Sequence, residues 1–252
     1  PSHPMRDSLS RATPRRGFLG RLAGAAAALA GGGLLTRADA AHAAPVTTTS
    51  AAPTGAAWDM SWVERVTGAH RQVFDAPEIA DGTVLHQARS WLAGYAEVYG
   101  AKDAEMSAVL VIRHAAIPMV LDDAFWTRYE LGERLANPDG GGEKVVLKDP
   151  ATGALARRNP FLSANVRPGD RYAVIWPDGG LDALIGRGAI VLACNLALRR
   201  AVSIVAKADE VSAEAARATV LAHLVPGVVV MPNGIFAVTR AEEAGCRYIR
   251  GT

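Results

Sequence analysis

The chain has 252 residues, half of them hydrophobic and 21% charged, with only two cysteines. It is long enough to bury one sizeable core, too apolar for disorder throughout, and too poor in cysteine for a disulfide-stapled miniprotein. The formal charge of +2 points to a polyanion partner only if the basic residues sit on the folded part, so their position decides the reading.

Six arginines, Arg6, Arg11, Arg15, Arg16, Arg21 and Arg37, lie in the first 43 residues. Thr13 to Leu19 read T-P-R-R-G-F-L and lead into Leu22 to Leu35, a stretch made only of Ala, Gly and Leu. It is shorter than the roughly 20 residues that a membrane-spanning helix needs. Ala38-Asp39-Ala40 and Ala41-His42-Ala43 follow, both with the small-x-small pattern of a signal-peptidase site. Residues 1–43 are expected to be a secretory signal. The Arg15-Arg16 pair with Phe18-Leu19 resembles the twin-arginine export consensus, with Pro14 and Gly20 as departures from it. A general secretory signal with a chance arginine pair and an uncleaved membrane anchor are the alternatives. The resemblance implies passage through the twin-arginine (Tat) export machinery, a periplasmic or secreted location, and no stable membrane anchor once cleaved.

Removing residues 1–43 takes away six of the 27 Lys and Arg and two of the 25 Asp and Glu, which leaves a net charge of −2. A basic surface for nucleic acid is therefore not supported. Residues 44–68 read as a linker, rich in Ala, Thr and Pro as far as Ala57.

From His70 the pattern alternates between strand and helix. His70 to Phe74 is a short β-prone run, Leu85 to Tyr99 carries apolar residues at helical spacing, and Ala108 to Ile112 is continuously apolar, as in a strand buried on both faces. A helix is expected from about Pro118 to Leu135, with its proline in the first turn, then a strand at Tyr172 to Trp176 and a short helix at Leu181 to Ile185. Ala189 to Ala193 is the most strand-like segment. Helices at Leu196 to Ala206 and at Ser212 to His223 follow, with Ser212 as N-cap, then a strand at Val228 to Met231, a helix at Gly234 to Ala244 and a strand at Cys246 to Ile249. The expectation is an α/β fold, a single three-layer domain over residues 69–251 with a parallel sheet of five or six strands. Residues 137–170 form an insertion, in which two β-prone arms flank an Asp149-Pro150…Gly153 turn and so predict a hairpin. Such an excursion serves as a lid, an oligomer contact or a plain surface hairpin.

Cys194 follows an expected strand and precedes an expected helix, which puts its sulfur at a strand's carboxyl end, where open α/β sheets bind ligands. It reads either as a reactive thiol at a helix N-terminus or as a buried structural cysteine. His114 ends another strand at the same edge, as a base or ligand near Cys194 or as a polar strand cap. Asp122 and Trp126 share a helix face at i, i+4 and line a pocket, or form a solvated face with one core aromatic. Asn195 and Asn233 offer donors to an anion, or cap helices. Cys246 reads as core, and a Cys194–Cys246 disulfide needs Cα atoms within about 7 Å. The chain has no phosphate-binding glycine loop, Cys-x-x-Cys, His-Glu-x-x-His or Gly-x-Ser-x-Gly pattern, so the sequence names no cofactor and no metal.

Several segments taken in order resemble one family. Gln72-Val73-Phe74-Asp75, Val109-Leu110-Val111-Ile112-Arg113-His114-Ala115, Gly188-Ala189-Ile190-Val191-Leu192-Ala193-Cys194, Leu224-Val225-Pro226-Gly227-Val228-Val229-Val230-Met231-Pro232-Asn233-Gly234 and Gly245-Cys246-Arg247-Tyr248-Ile249 are similar to the DsrE-like (YchN-like) proteins. The departures are Ala115 where the family has Gly, Cys246 where an aromatic residue is common, and the insertion. The resemblance implies the DsrE-like parallel-sheet α/β fold, assembly into homo-trimers or hexamers, and, as in the sulfur-relay members, a persulfide carried on Cys194. The alternative is a non-catalytic oligomeric module that binds a small ligand or a protein.

Overall fold

Residues 58–138, 144–149, 152–165 and 178–252 are described by a computed structural model. The expected signal (including Arg15 and Arg16), most of the linker and the expected strand Tyr172 to Trp176 lie outside these residues. The strands are β1 (His70–Ala76), β2 (Met106–Ile112), β3 (Ile190–Cys194), β4 (Val228–Met231) and β5 (Arg247–Arg250). They form one all-parallel sheet in the order β4-β3-β2-β1-β5. Every residue of β2 and β3 is buried, which is why Ala108 to Ile112 of β2 and all of β3 read as unbroken apolar runs, whereas the edge strand β5 is exposed along its length.

The α-helices among the described residues are α1 (Thr83–Tyr99), α2 (Asp123–Arg128), α3 (Leu131–Ala136), α4 (Leu181–Gly186), α5 (Asn195–Asp209), α6 (Ala213–Ala222) and α7 (Gly234–Glu243). Phe74, Leu110, Ile112, Val191 and Ala193 point to one face of the sheet and pack with apolar residues of helices α1 to α6. Val73, Val109, Val111, Ile190 and Leu192 point to the other face, against α7 and the 3-10 helix Ser61–Arg65, whose Trp62 is wholly buried and donates from Nε1 to the Met231 sulfur. Helices thus cover both faces of a central sheet, a three-layer α/β domain.

Connection handedness dictates which helix goes where. From β1 to β4 the chain steps in one direction across the sheet, and its connections pack on the α1 face. The β4-to-β5 connection runs back in the opposite direction, and a right-handed crossover then has to use the opposite face, where α7 lies.

The single helix expected over Pro118 to Leu135 is instead three pieces. A 3-10 helix spans His114–Val120 and contains Pro118, Asp122 restarts the chain as an extended N-cap whose carboxylate accepts from Phe125 N at 2.8 Å, and Glu130 adopts left-handed backbone (φ 51°) between α2 and α3. The amphipathic spacing was correct for the pieces but carried no signal for their breaks. Cys246 lies just before β5 rather than in it. Ser212 caps α6 as expected, accepting from Ala215 N at 3.2 Å.

In the insertion, Asp149 N donates to Ala154 O and Ala156 N to Leu147 O, each at 2.8 Å, so the two arms pair antiparallel across Lys148 and Leu155. The segment that follows is fastened to the domain by Asn159. Its buried amide donates to Met119 O and Leu121 O while its own oxygen accepts from Phe161 N. Asp123 strengthens this anchor by accepting from Asn159 N and from the Asn165 amide.

Candidate functional site at the carboxyl edge of the sheet

The chain leaves β3 for α5 on one face and leaves the adjacent β4 for α7 on the other. A crevice opens where neighbouring parallel strands send their connections apart, and this is where open α/β sheets place ligands. Cys194 occupies that position. It is the last residue of β3, paired in register with Met231, and serves as the extended N-cap of α5. It is 6% exposed and makes no disulfide.

Beside it stands Arg113. Ile112 pairs with Ala193, so the residue after β2 comes alongside the last residue of β3. Arg113 makes a two-pronged pair with Asp75, Nε to Oδ1 at 2.7 Å and a terminal nitrogen to Oδ2 at 2.9 Å, and Tyr248 donates its hydroxyl to the same carboxylate at 3.1 Å. Asp75 is buried, and these contacts satisfy its charge. The carboxylate holds the guanidinium above its ordinary pKa against the opposing effect of burial, and the Tyr248 and Cys194 side chains, when ionised, push the same way. Desolvation, aided by Asp75, raises the Tyr248 phenol, which keeps it a donor.

The Arg113 stem lies against the first turn of α7. A Cβ added at Gly234 would stand 2.4 Å from Arg113 Cδ, so only glycine allows this approach. Two of the five guanidinium N–H groups are spent on Asp75. The crevice therefore combines a thiol, a fixed cation and the amino ends of α5 and α7. Leu196 and Ile235, in the first turns of those helices, are 51% and 71% exposed.

Of the other residues singled out in the sequence, Asn195 and Asn233 stand at the amino ends of α5 and α7 with their side-chain oxygens engaged, while His114, Asp122 and Trp126 serve elsewhere. His114 has left-handed backbone (φ 51°), and its side chain lines a separate cleft to which Cys194 does not contribute. Asp122 caps α2 and meets His223 Nδ1 at 3.0 Å. Trp126 is wholly buried and donates from Nε1 to Pro118 O at 2.9 Å, so it is a core residue rather than a pocket wall. Asn233 caps α7 by accepting from Phe236 N. Asn195, the first residue of α5, accepts from Arg217 of α6 at 2.5 Å. Cys246 sits at the opposite, amino edge of the sheet, next to Arg71, where burial pushes its thiol up to about 11 against the lowering effect of that arginine. A Cys194–Cys246 disulfide is incompatible with these positions.

Sequence reading missed Asp75, Arg113 and Tyr248. Asp75 carried a signal, an acidic residue within the buried, otherwise apolar half of β1, between Phe74 and Ala76. Its partners lie 38 and 173 residues away along the chain, which no local pattern connects. Among the described residues no group of three or more His, Cys, Asp or Glu is placed to hold a metal ion, and no helix is long and apolar enough to cross a membrane.

No family model and no curated protein matches the chain. A solved structure of similar shape is that of a protein of unknown function, MTH1491, from Methanobacterium thermoautotrophicum. It is 15% identical, the match covers 72% of this chain and 98% of that one, and the TM-score is 0.33. A likeness at that level does not bear on activity.

Proposed function

We propose that this chain is an exported, DsrE-like sulfur carrier in which Cys194 accepts sulfane sulfur as a persulfide and hands it to a partner thiol. The observation that carries the reading is the position of Cys194 in the β3/β4 crevice beside Arg113. The thiolate is the form that performs both steps, and Arg113 and the amino end of α5 stand next to it. In loading, the Cys194 thiolate attacks the outer sulfur of a low-molecular-weight persulfide or polysulfide. The donor's S–S bond breaks, the donor leaves as a thiolate or as a polysulfide one sulfur shorter, and Cys194 keeps the extra sulfur. In unloading, a partner thiolate attacks that outer sulfur and Cys194 departs as thiolate. Neither step needs an external oxidant, because the transferred sulfur arrives already at the sulfane level. Arg113 stabilises the anionic sulfur in both directions, and Asp75 and Tyr248 hold Arg113 in place.

Export by the twin-arginine route through Arg15 and Arg16, and assembly as a homo-oligomer, belong to the same proposal. The exposed β5 edge, with Tyr248 and Ile249 at 48% and 40% exposure, supports a contact between copies.

Exposing the protein to inorganic polysulfide, followed by persulfide-selective labelling, tests the assignment. Labelling is expected to disappear in Cys194→Ala and to survive in Cys246→Ala. Equal labelling of the two variants sinks it.

A further inference from the structure

A cleft of about 740 Å³ lies outside the Cys194 crevice, between α5, α3 and the 3-10 helix His114–Val120. Its size falls within the roughly 300–1,000 Å³ of small-molecule sites. The floor is apolar, from Ile117, Leu121, Leu131, Ala201 and Ile204. On the α5 wall Arg200 and Lys207 stand at the mouth, both exposed and both without an ion pair or hydrogen bond among the described residues. That wall carries no acid. Glu130 and Glu133 lie on the α3 side, where Arg134 accompanies them with its Nε donating to Tyr129 O.

We infer that this cleft binds a small organic anion with an extended apolar body, its chain on the Ile117, Leu121 and Ile204 floor and its anionic head on Arg200 and Lys207. The apolar area supplies affinity and the unpaired cations choose the sign of the head group. The α5 wall from Ala197 to Lys207 runs for about 15 Å at the helical rise, roughly the length of an extended dodecanoate chain. The inference does not depend on thiol chemistry, since Cys194 is not part of the cleft.

Calorimetric titration of the full chain with dodecanoate, below its micelle-forming concentration, tests the inference, with dodecanol and dodecyltrimethylammonium as neutral and cationic probes. Saturable one-site binding of dodecanoate is expected, weakened about 10-fold or more when both cations are reversed in R200E/K207E. These are exposed side chains, so the reversed variant keeps its fold, and dodecanol binding should be the same in both proteins. Three results would overturn the inference: no saturable heat with dodecanoate, equal dodecanoate affinity in the two proteins, or tighter binding of dodecyltrimethylammonium than of dodecanoate by the unaltered chain. Cys194→Ala should bind dodecanoate as the unaltered protein does, so failure of the sulfur-carrier reading leaves this result standing.

Discussion

Asp75 is a buried carboxylate whose charge is met by a two-pronged guanidinium and a phenol, so removing one partner strands a charge out of water. Arg113→Ala is expected to cost about 3 kcal/mol or more in urea unfolding, by the rule for broken buried pairs. The double variant D75L/R113M should lose less than Arg113→Ala alone, since it leaves no unpaired charge. The exposed Arg250–Glu78 pair should be worth under about 1 kcal/mol. Cys246 gives a separate test at high pH. Its thiol is raised from 9.0 to about 11 by burial, so the unfolded chain ionises there before the folded one does. The contribution of Cys246 is intact below pH 9.0 and is lost as pH rises towards 11. Cys246→Ala should flatten the fall in stability across that interval, and an unchanged pH profile would count against the burial argument. At this scale Cys194 was legible in the sequence because a thiol between a strand and a helix is a local pattern. Arg113 was not, because its neighbours come from β1, β3, β5 and α7.

Caps and close approaches settle where the elements begin. Asn233 accepts from Phe236 N at the start of α7, and Asn233→Ala should cost about 1 kcal/mol, the ordinary value of an N-cap. Gly234→Ala is expected to do something different. The new methyl meets the Arg113 stem, so the variant should reduce polysulfide labelling of Cys194 as well as stability, while Asn233→Ala reduces stability alone. Asn159 is the corresponding device for the insertion, and Asn159→Ala leaves Met119 O and Leu121 O without their donor. A loss of about 1–3 kcal/mol is expected from that unsatisfied burial, together with faster proteolysis within residues 144–165; resistance equal to that of the unaltered chain would contradict the anchoring role. Strands β2 and β3 were readable because a strand buried on both faces leaves an unbroken apolar run. The breaks between α2, α3 and the preceding 3-10 helix were not, because Glu130 in left-handed backbone and Asp122 as a cap look like ordinary polar residues on an amphipathic face.

For the whole molecule, the order β4-β3-β2-β1-β5 turns a list of elements into a site. Alternating strands and helices implied a parallel sheet, but not where the connections change face, and that change places Cys194 in a crevice. The same arrangement brings distant segments together through surface pairs, Arg187 with Asp103 and Arg89 with Asp178. In each the arginine hydrogen bond holds the carboxylate below its ordinary 3.8. Depressed carboxylates stabilise the fold at pH values above 3.8, and that contribution is lost as pH falls through the folded-state values. Arg187→Gln should therefore reduce the acid sensitivity of unfolding, with only a small effect at neutral pH, because both groups are partly exposed.

The central claim, that Cys194 carries sulfur, is tested most directly by intact mass spectrometry of the native protein with and without reductant, followed by peptide mapping. A reducible gain of one sulfur atom on the Cys194 peptide is the predicted result. Two free, unmodified thiols, or an added sulfur confined to Cys246, would contradict it.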